Sequence, residues 1–130
     1  MSRTSLFTYG SLMFPQIWQR VVSGRYACAP ATLDDHARYA VRGASYPGMV
    51  RQAGERVAGV VYFDVDEPDI AALDAFEGSD YLRTVVTARL HNGEAVSVET
   101  YLFINRGDLL AQAWEPDNFS LQGFVDTYCN

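Results

Sequence analysis

Histidine and cysteine are scarce in this 130-residue chain, with two of each. His36 and His91 stand apart with no H-E-x-x-H around them, and Cys28 and Cys129 form no C-x-x-C pair. A metal site needs several such groups at fixed spacing, so metal chemistry is not expected. A lone histidine in or beside a strand reads as a polar surface residue. The two distant thiols read as free, as in a reducing cytoplasm, and not as a disulfide. Basic residues are outnumbered sixteen to ten by acidic ones, for a net charge of −6, and no basic run exists. Nucleic acid and anionic membrane surfaces are therefore poor partners. No apolar run approaches the roughly 18 residues of a membrane helix. The N-terminus lacks the basic-then-apolar order of a secretion signal. A soluble, cytoplasmic protein is expected.

Familiar catalytic fingerprints are missing too. Tyr9-Gly10-Ser11-Leu12 lacks the second glycine of a G-x-S-x-G elbow, and there is no G-x-x-x-x-G-K or G-x-G-x-x-G. Serine-nucleophile, nucleotide and dinucleotide chemistry lose their usual sequence support, and no cofactor is expected. No repeat, low-complexity stretch or linker divides the chain, so residues 1–130 read as a single domain. The composition, 48% hydrophobic and 20% charged, is that of a folded chain.

Aromatics are plentiful: eight tyrosines and seven phenylalanines. Side chains with an apolar body and a polar tip suit strands and the walls of a small pocket. The stretch that organises the rest is Glu67 to Glu77. Pro68 fits the first turn of a helix and Gly78 fits the position just past its end. At about 100° per residue, Ile70 and Leu73 lie about 60° apart, with Phe76 about 60° further round. Glu77 falls between Ile70 and Leu73, on the apolar side. Two readings are open. The last turn frays and Glu77 swings to water or pairs with Arg83; or Glu77 is held inward as a proton-transfer group. In the second case burial and the negative helix end both raise its pKa towards neutrality, where a general base is most effective.

Ahead of this helix, Thr4 to Tyr9 is a β-prone run that stops at Gly10-Ser11, and Phe14 to Val22 carries apolar residues at helical spacing behind Pro15. A strand, tight turn and helix gather the N–H groups of Gly10, Ser11 and Leu12 at a positive helix end, an anion site sized for a carboxylate or phosphate. Most such turns bind nothing. Tyr26 to Leu33, interrupted by Pro30, reads as an edge or bulged strand, and Ala37 to Val41 as another short one. Gly43 to Gly48 is turn-rich; it is either a surface connection or a pocket-lining loop presenting Tyr46. Val57 to Val65 reads as a central strand. Leu82 to Leu90 and Ala95 to Ile104 form a hairpin about Asn92-Gly93. A turn or two of helix is expected over Asp108 to Trp114, and a final helix is expected to bear Leu121, Phe124, Val125 and Tyr128. The class is α+β. One inward Glu, one backbone anion nest and several tyrosines could handle a small zwitterion.

Four blocks in order carry a resemblance: Phe7-Thr8-Tyr9-Gly10-Ser11-Leu12, Tyr46-Pro47-Gly48, Val57-Ala58-Gly59-Val60-Val61-Tyr62, and Leu73-Asp74-x-x-Glu77-Gly78-x-x-Tyr81-x-Arg83. Over essentially its whole length the chain resembles the gamma-glutamylcyclotransferase-like family, which includes gamma-glutamylamine cyclotransferases and the plant avirulence-induced-gene proteins. The resemblance implies a small, mostly antiparallel (mixed) β-barrel with peripheral helices. It also implies a cofactor-free reaction in which the α-amine of a γ-glutamyl group attacks its own γ-carbonyl, releasing 5-oxoproline and an amine or amino acid. The family's Glu maps onto Glu77 as acid/base, and its Tyr-Gly-Ser-Leu loop maps onto Tyr9 to Leu12 around the α-carboxylate. Tyr46 is then expected to line the pocket, Tyr81 to line it or orient Glu77, and Arg83 to brace a strand by ion pairing. Two alternatives remain: a non-catalytic binding module for a small carboxylate-bearing metabolite, and a γ-glutamyl amide hydrolase.

Overall fold

Local chemistry sets both ends of the helix that carries Glu77. In a computed structural model, which describes residues 3–116, that helix (α2) runs Glu67–Glu77, with Pro68 in its first turn. Gly78 follows at φ 81°, and its N–H bonds to the Asp74 carbonyl at 3.0 Å. A left-handed stop of this kind is what glycine permits. Ile70 and Leu73 are buried as their spacing predicts. Asp69 is buried too, accepting the N–H groups of Ser23 and Gly24 and the hydroxyl of Tyr26. Burial alone would raise its pKa, but these three donors outweigh that and hold the carboxyl below its ordinary value. They pin the start of α2 to the segment beyond the first helix.

The other elements are β1 (Arg3–Thr8), a 3₁₀ turn (Ser11–Met13), α1 (Pro15–Val21), β2 (Cys28–Val41), β3 (Pro47–Asp66), β4 (Tyr81–Leu90), β5 (Ala95–Phe103), a second 3₁₀ turn (Arg106–Asp108) and β6 (Leu109–Ala113). Strands follow the order β3-β1-β5-β4-β2-β6, and β2 also pairs with β3, so five strands close into a ring with β6 added beside β2. Every pairing is antiparallel except β1 with β5. Alternation along β1 separates two cores. Leu6 faces outward to Ile17, Trp18, Ile70 and Leu73 of the helices, whereas Phe7 belongs with Leu33, Met49, Val61 and Val98. The architecture is the expected α+β, mostly antiparallel ring of strands with helices packed on it.

Four local expectations are corrected. The strands read at Tyr26 to Leu33 and Ala37 to Val41 are one strand, β2, paired to β3 on both sides of a bulge between Asp34 and His36. At Pro30 it has β3 alone as neighbour, since the pairing with β4 begins at Ala31. His36 is no surface residue: it is 7% exposed, with Nδ1 2.9 Å from the Asp34 carbonyl at that bulge. The turn-rich loop ends at Tyr46, because residues 47–54 already belong to β3. The helix expected over Asp108 to Trp114 is not formed beyond Asp108, the last residue of the second 3₁₀ turn. It gives way to β6, because the far half of β2 offers Tyr39 and Val41 as partners for Ala113 and Leu109, and strand pairing overrides a weak local preference. Cys28 is free and exposed. Cys129 and the expected final helix lie outside the described residues. No described helix is long and apolar enough to cross a membrane.

Candidate active site

Where β1 ends, the chain is held tightly. Arg38 Nη1 donates to the Tyr9 carbonyl at 2.7 Å and to that of Ala58 at 3.2 Å. Gly10 comes next, and a Cβ there would lie 2.8 Å from Cγ of Pro47, closer than carbon atoms approach. The expected direct entry into a helix is corrected. Phe14, preceding Pro15, is extended at φ −86°, ψ 121°, as a residue before proline prefers. Helix α1 therefore starts at Pro15, and a 3₁₀ turn comes first. The first bond of that turn runs from Met13 N–H to the Gly10 carbonyl at 3.0 Å, so the N–H groups of Ser11 and Leu12 have no partner within the turn.

Facing this turn across a cavity of ≈ 200 Å³ are the last residue of α2, the first of β4 and the corner between β2 and β3. Tyr9, Gly10, Ser11, Leu12, Tyr46, Glu77 and Tyr81, all expected from sequence, line the one cavity. Phe7, Thr8, Pro47, Phe76 and Tyr101, not expected in the site from sequence, are the other described residues of the wall. Tyr101 had a signal in the alternation of β5, and Phe76 in its place on the inner face of α2. Pro47 is brought in only by the ring.

Three tyrosines of the wall have their hydroxyl protons engaged. Tyr9 donates to the Tyr101 carbonyl (2.6 Å), Tyr81 to the Pro47 carbonyl (2.7 Å) and Tyr101 to Asp74 (2.7 Å). Burial, first, and nearby negative groups, second, push all three phenols well above their ordinary pKa, so they stay neutral. Tyr81 also packs edge-on against Phe103 at 5.3 Å and lies 6.4 Å from Tyr46. Arg83 does not pair with Glu77. Its Nε and Nη2 hold Asp74 at 2.9 and 3.2 Å, and its Nη1 holds Glu99 at 2.8 Å, bracing α2 against β4 and β5.

Glu77 is thus left inward without that counter-ion. Burial, then the like charge of Asp74 one turn earlier, push its pKa from the usual 4.5 up to about 8. The fold binds a proton here that the unfolded chain releases, so this residue's contribution to stability falls as pH rises from about 4.5 to about 8 and is level outside that window. Glu77→Gln cannot ionise. Its melting temperature relative to wild type is expected to climb between pH 5 and pH 9. Parallel melting curves at the two pH values would show an ordinary solvated carboxylate.

A family model described as "Gamma-glutamyl cyclotransferase, AIG2-like" matches residues 6–118. The chain belongs to this family. Among curated relatives, Protein AIG2 C of Arabidopsis thaliana is 31% identical over 129 residues, spanning 95% of this chain and 78% of that protein. AIG2-like protein A of the same plant is 33% identical over 123 residues, spanning 94% and 70%. A solution structure of an Arabidopsis thaliana protein superposes with a TM-score of 0.78 at 28% identity, covering 99% of this chain and 81% of the other. A structure titled gamma-glutamyl cyclotransferase superposes with a TM-score of 0.69 over 80% of this chain and 68% of the other. At 21% identity that last likeness shows the fold alone. In this member of the gamma-glutamyl cyclotransferase, AIG2-like family, the matched segment contains every described residue of the cavity wall.

Proposed function

We propose that the cavity binds a γ-glutamyl compound and closes it to 5-oxoproline with Glu77 as the acid/base. The observation that carries this reading is a carboxyl of raised pKa lining the same small cavity as the Gly10–Leu12 turn. Main-chain N–H groups suit a carboxylate. Tyr9, Tyr81 and Tyr101 have spent their protons on protein acceptors, so their oxygens can only accept. With Glu77 they suit a group that donates several hydrogen bonds, as an ammonium does.

The α-carboxylate of the substrate rests on the turn and its α-ammonium faces Glu77. Glu77 takes one proton from the ammonium, and the freed amine attacks the γ-carbonyl carbon to form the lactam C–N bond. As the tetrahedral adduct collapses, the bond to the leaving nitrogen breaks and Glu77 returns the first proton to that nitrogen; the surplus proton on the ring nitrogen then passes through the regenerated Glu77 carboxylate to the same leaving group, which departs as an ammonium. No atom is left on the enzyme. Burial raises Glu77's proton affinity towards that of an amine, which keeps these transfers from being strongly uphill. Holding amine and carbonyl in an attack-ready pose can supply much of the roughly 7–11 kcal/mol available from orientation.

Incubation with a panel of γ-glutamyl amines and γ-glutamyl amino acids tests this directly. Release of 5-oxoproline in step with the free amine or amino acid is expected. Free glutamate in its place would mark a hydrolase, and tight binding without product a binding module.

A further inference from the structure

We propose that Asp74, which does not line the cavity, is a positioning residue that sets the charge state of Glu77 and aims the hydroxyl of Tyr101. The proposal rests on the acid/base role given to Glu77 above. Asp74 and Glu77 are three residues apart on α2, neighbours on its surface. The Asp74 carboxylate has Oδ1 on both Arg83 Nε (2.9 Å) and the Tyr101 hydroxyl (2.7 Å), and Oδ2 on Arg83 Nη2 (3.2 Å). Tyr101 is a wall residue, so one carboxylate outside the cavity fixes the direction of a wall residue's hydroxyl proton.

Charge arithmetic gives the arrangement its direction. Arg83 is shared between Asp74 and Glu99, so one cation meets two anions and a net negative charge remains behind the wall. Among the described residues, the titratable groups around Glu77 are Tyr9 at the end of β1, Tyr46 at the β2–β3 corner, Tyr81 on β4, Tyr101 on β5 and Asp74 on its own helix, with Arg83 and Glu99 behind Asp74 and Arg38 behind Tyr9. No residue of the wall is an arginine, and the chain has no lysine. With burial, the charge of Asp74 favours the protonated acid at Glu77 until an ammonium enters. An arriving ammonium supplies the missing positive charge and makes the carboxylate form the favoured one. Glu77 thereby becomes a base when there is a proton for it to take.

Asp74→Asn keeps the shape and an acceptor for Arg83 and Tyr101 while removing the charge. Arg83→Gln does the opposite, leaving Asp74 and Glu99 without their cation. With a substrate from the panel, the rising limb of kcat/KM against pH, centred near 8 in wild type, is expected about one pH unit lower in Asp74→Asn and higher in Arg83→Gln. The Glu77 carboxyl followed by ¹³C NMR, assigned by its loss in Glu77→Gln, should titrate with the same opposite displacements. Should Arg83→Gln fail to fold, Glu99→Gln takes its place: it frees Arg83 for Asp74 and should move the midpoint down by less than Asp74→Asn does. Unmoved midpoints, or Asp74→Asn and Arg83→Gln moving it the same way, would reduce Asp74 to a structural tie and overturn the proposal. Opposite displacements by NMR in a protein that makes no 5-oxoproline from any substrate would uphold this coupling and reject the ring closure itself.

Discussion

Glu77→Gln is expected to lower kcat for 5-oxoproline release by at least about 10²-fold, the low end for a lost general base, while leaving a folded protein. Gln keeps the length and the amide-sized tip of Glu but cannot take the proton of an α-ammonium. Among the described residues, no other carboxyl lines the cavity. Tyr9, Tyr81 and Tyr101 are held neutral by burial and donate elsewhere, and Arg83 is engaged by Asp74 and Glu99. Stability should not suffer, because the buried position already disfavours the charged form. Rate and melting temperature measured on the same preparation separate chemistry from folding. Full turnover by the Gln variant on a substrate that wild type converts would remove Glu77 from the mechanism.

Gly59→Ala is expected to destabilise the fold by about 1–3 kcal/mol, the usual range for forcing atoms into a packed interior. The new Cβ would lie 2.2 Å from the Thr8 carbonyl oxygen and 2.7 Å from Cζ of Phe7. Neither can step aside easily. Thr8 is the last residue of β1 and is paired to Val60, and Phe7 is 1% exposed in the ring's core. The displaced stretch runs straight into Tyr9 and Gly10, so activity should fall with stability; a misplacement of about 1 Å at a reacting group can cost on the order of 10²-fold. A lower urea midpoint together with a lower kcat/KM is the expected pair. An unchanged midpoint would mean that β1 and β3 are less tightly joined than their pairing implies.

Helix α2 was legible because its limits are local. Pro68 and Gly78 act through their own backbone preferences, whatever the rest of the chain does. The hairpin about Asn92-Gly93 was legible for the same reason: Gly93 sits at φ 90°, and β4 and β5 pair in register from Arg89 with Ala95 through Tyr81 with Phe103. Proline punctuation is local as well: Pro15 starts α1, and by the same stiffness it holds Phe14 extended, which separates the 3₁₀ turn from α1. His36 was misplaced because a bulge reverses which face a side chain occupies, and a bulge depends on the partner strand. Residues 109–113 were misassigned because the edge they join belongs to residues 39–41.

By itself the sequence determined where α2 starts and stops, that Glu77 falls at the helical angle of Ile70 and Leu73, and that a glycine turn follows the first strand. These follow from dihedral limits and helical spacing, which act over a few residues. Tertiary structure alone decided that Glu77 and the Gly10–Leu12 turn share one cavity, and that Arg83 is spent on Asp74 and Glu99. It also decided that Tyr101 completes the wall. Those outcomes depend on closure of the ring through β1, β5 and β4. Closure brings residues 46, 77, 81 and 101 against residues 9–12, and no rule of local spacing contains it.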